Sequence, residues 1–368
     1  MDLNPATLVF KDLKCQNCGA ILKYQPGTKN LVCTYCGTNN EIEVSGEVLE
    51  EINYEQFIAT GFESQDTQTV VLAHCQSCGA STTLPPNVTA SECPFCGSSL
   101  VVKNASTCEV LKPKGLLPFN IDHKAAHQKY SDWLHGLWFA PNNLKRHASQ
   151  PDKLIGIYIP YWTYDSQTDS TYNGLRGDNY TTYVTQPVTV NGQTSMQQVP
   201  VVKVRWSPAS GRVRVFFDDV LVVACTSLPA DYINNLEPFD LMNLEPFNEK
   251  YLSGFRAERY QVEVKDGLVA AKVRMDVAIR QSVKQQIGGD VQQITTLNTN
   301  FYDITFKHIL LPIFISAYRY NGKVYRFLVN GRTGKVTGER PLSYIKIALT
   351  IIAVIAIIAL IMYLTQQN

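Results

Sequence analysis

The cysteines of this chain form one spacing pattern that occurs twice. Both copies read Cys-x2-Cys-x14-Cys-x2-Cys, and the second copy lies 60 residues after the first. The two sets are Cys15, Cys18, Cys33 and Cys36, followed by Cys75, Cys78, Cys93 and Cys96. Two thiolates separated by two residues bind one side of a metal ion, and a second pair completes the tetrahedron that Zn²⁺ adopts in structural sites. The pattern therefore predicts two zinc ribbons, whose closed sites stabilise a small fold and carry out no reaction.

Glycine directly follows the second cysteine of every pair. These residues are Gly19, Gly37, Gly79 and Gly97. Glycine adopts a positive φ at little cost, so this position predicts a tight turn that brings the two thiolates of a pair together. A ribbon of about 30 residues has too little apolar surface for a core of its own, so the metal must supply folding energy.

An even set of cysteines is also consistent with a disulfide framework. The N-terminal residues, however, contain no basic segment followed by an apolar core, so no signal peptide is visible. Thiols stay reduced in the cytoplasm, where they are available to metal ions. We therefore favour zinc over disulfides. Mononuclear iron binds to cysteines at similar spacing and is the alternative metal.

The other end of the chain carries a long apolar run. Residues 347–364 contain no charged side chain, and with Tyr344 and Ile345 a helix here is about 30 Å long, the thickness of a hydrocarbon core. A buried core helix without a polar face would be rare in a protein of this size. We therefore predict one transmembrane helix over residues 344–364.

The charges beside this run predict its orientation. Four basic residues precede it and none follows it: Arg332, Lys335, Arg340 and Lys346. The positive-inside rule then places the residues N-terminal to the helix in the cytoplasm. The sequence thus predicts a single-pass, tail-anchored protein of the cytoplasmic (inner) membrane, with its N-terminal domains in the cytoplasm.

Charge also separates the N-terminal part of the chain from the rest. Residues 1–110 contain five lysines, no arginine and twelve acidic residues, which gives a formal charge of −7. The remainder carries a formal charge of +8, which we interpret as an adaptation to the anionic membrane surface beside it. Phosphate contacts dominate nucleic-acid affinity and require a basic surface, so the ribbons are poor candidates for binding DNA or RNA. Their acidic character favours the recognition of proteins.

The chain as a whole is predicted to be multidomain. We assign zinc ribbon 1 to residues 1–45, an acidic linker or helix to residues 46–70 and zinc ribbon 2 to residues 71–105. An α+β mixed domain follows over residues 110–340, ahead of the transmembrane helix. The predicted fold is therefore two small β-knuckle ribbons, one α+β domain and one C-terminal span.

Segments rich in Val, Ile, Thr and Tyr predict the strands of the α+β domain. They cover residues 155–164, 180–190, 199–206, 212–224, 255–265, 291–306, 308–320 and 323–329. We predict turns at residues 191–192 and 208–211, and a helix over residues 268–287. The segment Ile159-Pro160-Tyr161-Trp162 resembles residues 311–314, Leu-Pro-Ile-Phe. Two related β-rich lobes within the one α+β unit would explain this internal echo.

No set of residues has the types and spacing of a catalytic site. The nearest match to a phosphate-binding loop is Gly331-Arg-Thr-Gly334-Lys335-Val336. It has the wrong glycine spacing, and it places Val where Ser or Thr must contact Mg²⁺. We interpret it as a hairpin turn between strands. The sequence therefore predicts no ATPase or helicase motor, and we assign no catalytic residue.

Several segments, taken together, resemble a bacterial protein family. They are residues 156–165 (GIYIPYWTYD), 206–211 (WSPASG), 254–258 (GFRAE), 287–290 (IGGD), 306–312 (FKHILLP), 329–334 (VNGRTG) and 338–341 (GERP). With the two four-cysteine ribbons and the terminal span, they resemble the bacterial tail-anchored double zinc-ribbon membrane proteins. Members of this family are often labelled primosomal replication-restart helicase-like. The missing motor motif argues against that label here.

The resemblance implies a role beside membrane-remodelling proteins. Such family members are encoded beside phage-shock-protein-A-like (ESCRT-III-related) proteins and beside a second zinc-ribbon protein with an SPFH or virion-core-like domain. The implied role is recruitment of this machinery to the membrane during envelope stress. The resemblance transfers no catalytic residues, and only the eight cysteines correspond, as metal ligands.

These observations favour a non-enzymatic, membrane-anchored adaptor whose acidic ribbons bind partner proteins. One alternative is a nucleic-acid-linked replication or transcription accessory protein at the membrane, which predicts salt-sensitive binding to DNA or RNA. Another is an enzyme whose scattered residues line a polar pocket within residues 110–340.

Overall fold

The computed structural model describes residues 13–43, 46, 48–61, 66–83, 90–101, 105–141, 154–190, 193–320, 323–339 and 342–366. Two small cysteine-bearing modules, a β-rich body and one C-terminal apolar helix follow one another along the chain. We call residues 13–43 the first module and residues 66–111 the second module. This order of parts agrees with the layout predicted from the sequence.

Three short antiparallel strands build the first module. They are β1 (Leu22–Gln25), β2 (Asn30–Cys33) and β3 (Asn39–Glu41), and they lie in this order in the sheet. Successive side chains of a strand point to opposite faces, so Leu22 and Tyr24 are buried whereas Lys23 and Gln25 are exposed. One cysteine pair lies in the turn before β1, and the other begins at the last residue of β2.

The acidic segment between the modules is attached to the body. Its strand β4 (Ile52–Asn53) pairs antiparallel with Thr305 and Phe306 of the body. Helix α1 (Tyr54–Thr60) follows, and the Asn53 side chain accepts a hydrogen bond from the backbone amide of Gln56, which caps the helix. The buried ring of Phe57 packs edge-on against Phe306 at a centroid distance of 5.1 Å. The segment is therefore docked rather than extended between the modules.

The second module has the same two cysteine turns on a longer framework. Its strands are β5 (Thr67–His74), β6 (Ser81–Thr82), β7 (Ala90–Glu92), β8 (Ser99–Val101) and β9 (Ala105–Leu111). Strand β5 pairs with both β6 and β9, while β7 pairs with β8. The long β5–β9 pair leads the chain directly into the body, so the second module and the body are joined by an antiparallel ladder.

A nine-stranded mixed sheet forms the body. Besides β4, its strands are β10 (Gly115–Leu116), β11 (Ile155–Val190), β12 (Gln193–Val223), β13 (Glu245–Pro246), β14 (Arg256–Ala257), β15 (Val291–Tyr320), β16 (Lys323–Asn330) and β17 (Val336–Gly338). The main path is β12-β11-β15-β10-β13, and the other strands attach to it. The remaining helices are α2 (His123–His135), α3 (Ala230–Asn234), α4 (Val264–Ile287) and α5 (Tyr344–Gln366), with 3-10 helices at Leu241–Asn243 and Glu249–Leu252.

Strands β11, β12 and β15 are much longer than the segments predicted from the sequence. The predicted turn at residues 208–211 is wrong, because β12 continues through these residues. Proline is tolerated at position 208 because its backbone nitrogen, which lacks a hydrogen, faces the outer edge of β12, where no described strand pairs. Gly211 also lies within the strand. Glycine is required there because the ring of Tyr172 packs against it, and a Cβ would lie 2.8 Å from Oη of Tyr172. The predicted break before His308 is likewise absent from β15.

The two segments that resemble each other in sequence are neighbouring strands of this one sheet. Ile159 pairs with Leu311, and Tyr158 pairs with Pro312, in the antiparallel ladder between β11 and β15. Two related β-rich lobes therefore do not explain the echo. Both segments lie in one long sheet. Their sequences are alike because they are buried parts of two adjacent strands.

Helix α4 packs along one face of the long strands. Its buried residues include the predicted stripe Met275, Ile279, Val283 and Ile287. The helix begins at Val264, earlier than predicted, and only Arg256–Ala257 of the predicted strand 255–265 is extended. Gly267 permits this beginning, because a Cβ there would collide with Oη of Tyr164. That hydroxyl group donates a hydrogen bond of 2.6 Å to the carbonyl oxygen of Val264.

The two cysteine modules pack on opposite faces of the sheet, near the beginning of β11. Tyr158 shares a hydrophobic core with Cys15 of the first module. Its neighbour Ile157 shares a different core with Phe95 of the second module. Adjacent residues of a strand point to opposite faces, so the two cores lie on the two sides of one sheet. Both modules therefore belong to the cores of the body.

Beyond residue 177 the sheet narrows to two strands. Strand β15 begins at Val291, opposite Gly177, whereas β11 continues to Val190, which pairs with Gln193 of β12. We call residues 178–190 and 193–205 the distal arm. At about 3.3 Å per residue, the arm extends about 40 Å past the end of β15. Within the described parts of the chain, no third strand pairs with it.

Candidate metal centres

The four cysteines of the first module converge on one point. Sγ of Cys15 lies 3.5 Å from Sγ of Cys36, and Sγ of Cys18 lies 3.5 Å from Sγ of Cys33. All four sulfur atoms lie within 4.8 Å of one another. Zn–S bonds of about 2.3 Å give a tetrahedron with edges of about 3.8 Å, so the group has the size of a four-thiolate metal site. Disulfide sulfur atoms would be only about 2.05 Å apart.

The second module repeats this arrangement. Sγ of Cys75 lies 3.6 Å from Sγ of Cys96, and Sγ of Cys78 lies 3.7 Å from Sγ of Cys93. As in the first module, the first cysteine faces the fourth and the second faces the third. All eight are free thiols. The structure thus brings the eight predicted ligands together as two groups of four.

The same backbone hydrogen bonds shape the four cysteine turns. In the first turn, the amide of Gly19 donates to the carbonyl oxygen of Cys15 at 2.8 Å, and the amide of Cys15 donates to the carbonyl oxygen of Ala20 at 2.7 Å. Equivalent pairs of bonds occur in the turns that begin at Cys33, Cys75 and Cys93. The glycines have positive φ values, as predicted: Gly19 72°, Gly37 74°, Gly79 78° and Gly97 70°. These turns point both sulfur atoms of a pair to one side.

A hydroxyl-bearing residue contacts the last sulfur atom of each module. Oγ1 of Thr38 lies 3.1 Å from Sγ of Cys36, and hydrogen bonds from Thr38 lower the pKa of Cys36 to about 5. Burial raises the pKa of Cys96, but hydrogen bonds from Ser98 outweigh it and bring the pKa to about 7. Both contacts favour the thiolate, the form that binds metal. The repeat itself carried this signal, since Ser98 follows Thr38 by 60 residues, but the sequence reasoning overlooked it.

The two sites differ in exposure. Cys18 and Cys36 of the first module are exposed, whereas in the second module three ligands are buried and Cys78 is half-buried. Tyr35, between the cysteines of the second turn, is 85% exposed. The same position of the second module holds Phe95, which is 0% exposed. One copy of the turn therefore faces solvent and the other faces the protein core.

Two arginines of the body fix the second module in place. Nε of Arg326 donates to the carbonyl oxygen of Phe95 at 2.8 Å. Arg256 donates from Nη1 to the carbonyl oxygen of Glu92 at 2.9 Å and from Nη2 to Oγ of Ser91 at 2.6 Å. These bonds satisfy backbone carbonyl groups beside the third and fourth cysteines. The second module is therefore held by the body on several sides.

Both four-cysteine groups have the chemistry of closed sites. Each offers four sulfur ligands, which complete a tetrahedron around Zn²⁺ and leave no open position for water or substrate. Small folds of this kind draw much of their stability from the bound metal. The arrangement can therefore hold the two modules folded on the two faces of the sheet, and it offers no position for a metal-catalysed reaction.

An ionic group in the body was not predicted from the sequence. Nζ of Lys307 lies 2.8 Å from Oε1 of Glu51, 2.8 Å from Oδ1 of Asp219 and 3.9 Å from Oδ2 of Asp165. Carboxylate oxygens of Glu51, Asp165 and Asp218 lie within 4.8 Å of one another. Burial, with the neighbouring Glu51, raises the pKa of Asp165 to about 7. Because Lys307 of β15 forms ion pairs with Glu51 of the connector and with Asp219 of the sheet, we interpret the group as the link between the acidic connector and the sheet.

A second perturbed carboxyl group lies where the second module meets the body. Glu258 is 4% exposed and forms an isolated bridge with Thr82 of the second module. Ser227 donates a hydrogen bond to its Oε1, and so does Nε2 of Gln261, at 3.3 Å. Burial raises the pKa of Glu258 to about 8. The carboxyl group is therefore largely protonated at neutral pH in the folded protein.

The C-terminal helix α5 carries one charged residue, Lys346, near its start, and residues 347–364 are uncharged and almost entirely apolar. None of residues 344–365 is buried, and among the described residues this is the one helix long and apolar enough to cross a membrane. Its beginning contacts the loop after α2. The amide of Ser343 donates to the carbonyl oxygen of Phe139 at 2.8 Å, and Nζ of Lys346 donates to the carbonyl oxygen of Ala140 at 2.7 Å. The chain therefore carries one C-terminal helix of membrane-spanning length, attached at its start to the body.

The basic residues before this helix also take part in the fold. Arg332 forms an ion pair with Asp240, and Nζ of Lys335 donates to the carbonyl oxygen of Glu237 at 2.6 Å. Arg340 lies outside the described residues. The predicted phosphate-loop-like segment is a turn between β16 and β17, as expected for a hairpin, and Gly334 has a φ of 74° there.

Comparison with known proteins shows a similarity that covers much more of the chain than the cysteine turns. The chain is 25% identical over 343 residues to the uncharacterized protein YdjG of Bacillus subtilis (strain 168), and the match covers 91% of each chain. No protein-family model matches the chain, and no solved structure matches it. The likeness to this protein thus extends over most of the chain.

Proposed function

We propose that this protein is a membrane-anchored adaptor that binds partner proteins and holds them at the cytoplasmic membrane, without an enzymatic activity of its own. One observation carries the proposal: the exposed cysteine turn around Tyr35 lies on a protein that also has an apolar helix of membrane-spanning length. A rigid recognition surface and an anchor in one chain are the two parts that recruitment to a membrane requires.

In this proposal each four-cysteine group holds one Zn²⁺. The sulfur separations of 3.5–3.7 Å support tetrahedral coordination. Four thiolates favour zinc or iron among the common metals, and closed ribbon sites favour zinc. Metal analysis of the full-length protein, purified from membranes without chelators, should give two zinc ions per chain. Two iron ions per chain would show that the sites hold iron rather than zinc. A folded chain without bound metal would contradict the proposal that these sites hold a metal ion.

The orientation follows from the charges beside the helix. Basic residues lie only on its N-terminal side, which the positive-inside rule assigns to the cytoplasm. Reduced thiols suited to metal binding are also maintained there. Protease treatment of closed inner-membrane vesicles, with their cytoplasmic face inside, should leave the modules intact. Digestion of both modules in sealed vesicles would reverse the orientation.

The partner-binding surface that we propose is the exposed turn of the first module. Tyr35 projects from it, and the neighbouring Thr34 and Asn17 are also exposed. Tyrosine often contributes much of the binding energy of an interface, because its ring fills a pocket while its hydroxyl group stays hydrogen-bonded. Glu41 and Glu43 are exposed on the same module. Lys14, Lys23 and Lys29 are exposed there as well, so this chemistry suits a protein partner with an apolar cleft for the tyrosine ring and a rim that carries both charges.

The family resemblance suggests the class of partner. On that basis we propose a phage-shock-protein-A-like (ESCRT-III-related) protein as the partner of the first module. A protein with an SPFH or virion-core-like domain is the second candidate. The acidic character of residues 1–110 agrees with a protein partner that has a basic contact surface, and it disfavours nucleic acid.

The experiment is affinity capture of the full-length protein from cross-linked, nuclease-treated membranes. Native protein is compared with Tyr35→Ala and with Tyr302→Ala, a matched control at a half-exposed tyrosine of the open sheet face. We expect a membrane-remodelling protein to be captured by the native and control chains and to be reduced at least about tenfold by Tyr35→Ala, as for a central interface tyrosine. Equal capture by all three chains would contradict the proposed surface, and partners lost on nuclease treatment would favour the nucleic-acid alternative.

A further inference from the structure

Helix α4 carries exposed valines on the side that faces away from the sheet. Val269, Val273 and Val277 are 63%, 64% and 67% exposed, whereas Met275 and Ile279 of the same helix are buried in the core. Valine forms helices less readily than Ala, Lys or Glu, so it is a poor choice for a helix face that only water contacts. Three valines at intervals of four residues therefore indicate a surface that another element covers.

A charge of opposite sign lies at each end of this row of valines. Asp266 precedes the valines and Arg280 follows them, and both residues are exposed. We call Asp266, Val269, Val273, Val277 and Arg280 the valine stripe. At 3.6 residues per turn, all five point within about 40° of the direction of Val273 around the helix axis. Their intervals are three, four, four and three residues, so the spacing is the same from either end.

The cations beside Val273 are held by the body. Nζ of Lys272 lies 4.7 Å from the centre of the Phe301 ring, and Nη1 of Arg274 donates to Oε1 of Glu237 at 2.9 Å. Both side chains therefore point away from the valines and towards the body. The middle of the valine stripe is apolar, and its charges lie only at the two ends.

We propose that two copies of this chain pair through the valine stripes of their α4 helices, antiparallel and around a two-fold axis at Val273. In this register Val273 lies opposite Val273 of the second copy, and Val269 lies opposite Val277 of the second copy. Asp266 of each chain lies opposite Arg280 of the other. The contact uses the same surface of both chains, as a closed dimer requires.

The order of the charges favours a second copy in this orientation. An antiparallel pair brings Asp266 to Arg280 at both ends of the contact, whereas a parallel pair would place like charges opposite each other. A helix from another protein would need the reverse order of charges at the same spacing, and a second copy supplies it. Valine side chains are short, so the two helix axes can approach to about 8 Å, the close end of the usual range.

Arg280 retains hydrogen-bond donors for this contact. Its Nε donates to Oδ2 of Asp276 in the same helix at 2.6 Å. An exposed ion pair four residues apart contributes little to stability, and the guanidinium group has further N–H donors on its two Nη atoms. Arg280 can therefore bind Asp276 of its own chain and Asp266 of the second copy together.

The first test measures the dissociation constant of the dimer by sedimentation equilibrium of the full-length protein in density-matched detergent. Native protein is compared with Val273→Glu and with Val202→Glu, a matched control at a valine of the distal arm that is 65% exposed. Glutamate favours a helix more than valine does, so Val273→Glu should leave α4 folded. We expect native protein and Val202→Glu to dimerise equally. Val273→Glu should raise the dissociation constant at least about 100-fold, because like charges then meet at the axis.

Charge reversal at the two ends separates a specific contact from damage to the helix. Asp266→Arg and Arg280→Asp each place like charges opposite one another, and each should raise the dissociation constant at least about tenfold. The double variant restores opposite charges and should recover the native value. The two residues are about 21 Å apart along one helix, so a contact between two chains is needed to explain the recovery.

Several outcomes would overturn the proposal. They are a native protein that has the mass of one chain at every concentration, a Val273→Glu variant that dimerises as the native protein does, and a double variant as weak as the single reversals. A dimer held by α5 instead would be insensitive to all of these variants. Capture of partners through Tyr35 is a separate readout, so failure of the dimer leaves the proposed function standing.

Discussion

Tyr35 and Phe95 occupy the same position of the cysteine repeat, yet one projects into solvent and the other lies in the protein core. Tyr35 is 85% exposed and Phe95 is 0% exposed. The difference arises in the body, where Arg326 binds the carbonyl group of Phe95 and the sheet covers its ring. One module thus uses its turn to attach to the chain's own sheet, whereas the turn of the other stays exposed to solvent.

This difference predicts unequal effects on stability. Phe95→Ala should lower the free energy of unfolding by about 3–5 kcal/mol, because it removes a fully buried ring. Tyr35→Ala should change it by less than about 0.5 kcal/mol, because its ring is mostly exposed. Denaturant unfolding of the full-length protein in detergent, followed by tryptophan fluorescence, measures both. Similar losses for the two variants would show that both turns contribute equally to the core.

Removal of metal should occur in two phases. Cys18 and Cys36 expose the first site to solvent, whereas the second site is enclosed by the body. A chromogenic chelator should therefore withdraw one metal ion per chain quickly and the other slowly, when the second module opens. Cys18→Ser should abolish the fast phase and leave the slow one. Release of both ions at one rate from the native protein would contradict the unequal enclosure.

Glu258 should make stability depend on pH. Its pKa rises from 4.5 to about 8 on folding, so its contribution to stability is fully present below about pH 4.5 and is lost as the pH rises through about 8. Glu258→Gln keeps the shape and stays neutral. We expect the variant to match the native protein near pH 4.5 and to exceed its free energy of unfolding by a few kcal/mol above about pH 8. Urea unfolding at both pH values checks this, and a difference independent of pH would refute it.

Trp138 should report contact with the membrane surface. It is 84% exposed, and Nζ of Lys346 from the start of α5 donates to the carbonyl oxygen of neighbouring Ala140. Tryptophan favours the interfacial region where a transmembrane helix leaves the hydrocarbon core. In liposomes with brominated phospholipids, quenching of the native fluorescence should be lost in Trp138→Phe. It should persist in Trp206→Phe, a partly exposed control near the distal arm. Unchanged quenching in Trp138→Phe would show that this loop lies away from the bilayer.

Local patterns were enough to predict the cysteine groups, most of helix α4 and the apolar helix α5. Cysteine spacing and the following glycines depend only on the geometry of one turn, and each of the four turns has the expected positive φ. The stripe from Met275 to Ile287 is likewise a local property of one helix. The apolar C-terminal run is uniform enough that composition alone predicts its length.

The long sheet and the ionic group depend on distant parts of the chain. Pro208 and Gly211 are turn signals when considered alone, and only the free edge of β12 and the ring of Tyr172 allow a continuous strand there. Lys307 and Glu51 are 256 residues apart, so no spacing rule associates them. The different exposure of Tyr35 and Phe95 also depends on distant residues. The cysteine spacing is the same in both modules, but only the turn of Phe95 is covered by the body.

Recruitment of a soluble partner to liposomes is the decisive measurement. Full-length protein with both metal sites filled is reconstituted into liposomes, mixed with a purified phage-shock-protein-A-like protein and floated on a density gradient. We predict that the partner floats with liposomes carrying native protein or Tyr302→Ala, and that it stays at the bottom with Tyr35→Ala or protein-free liposomes. A partner that fails to float with native protein, or that floats equally with Tyr35→Ala, would contradict an adaptor that acts through the exposed turn of the first module.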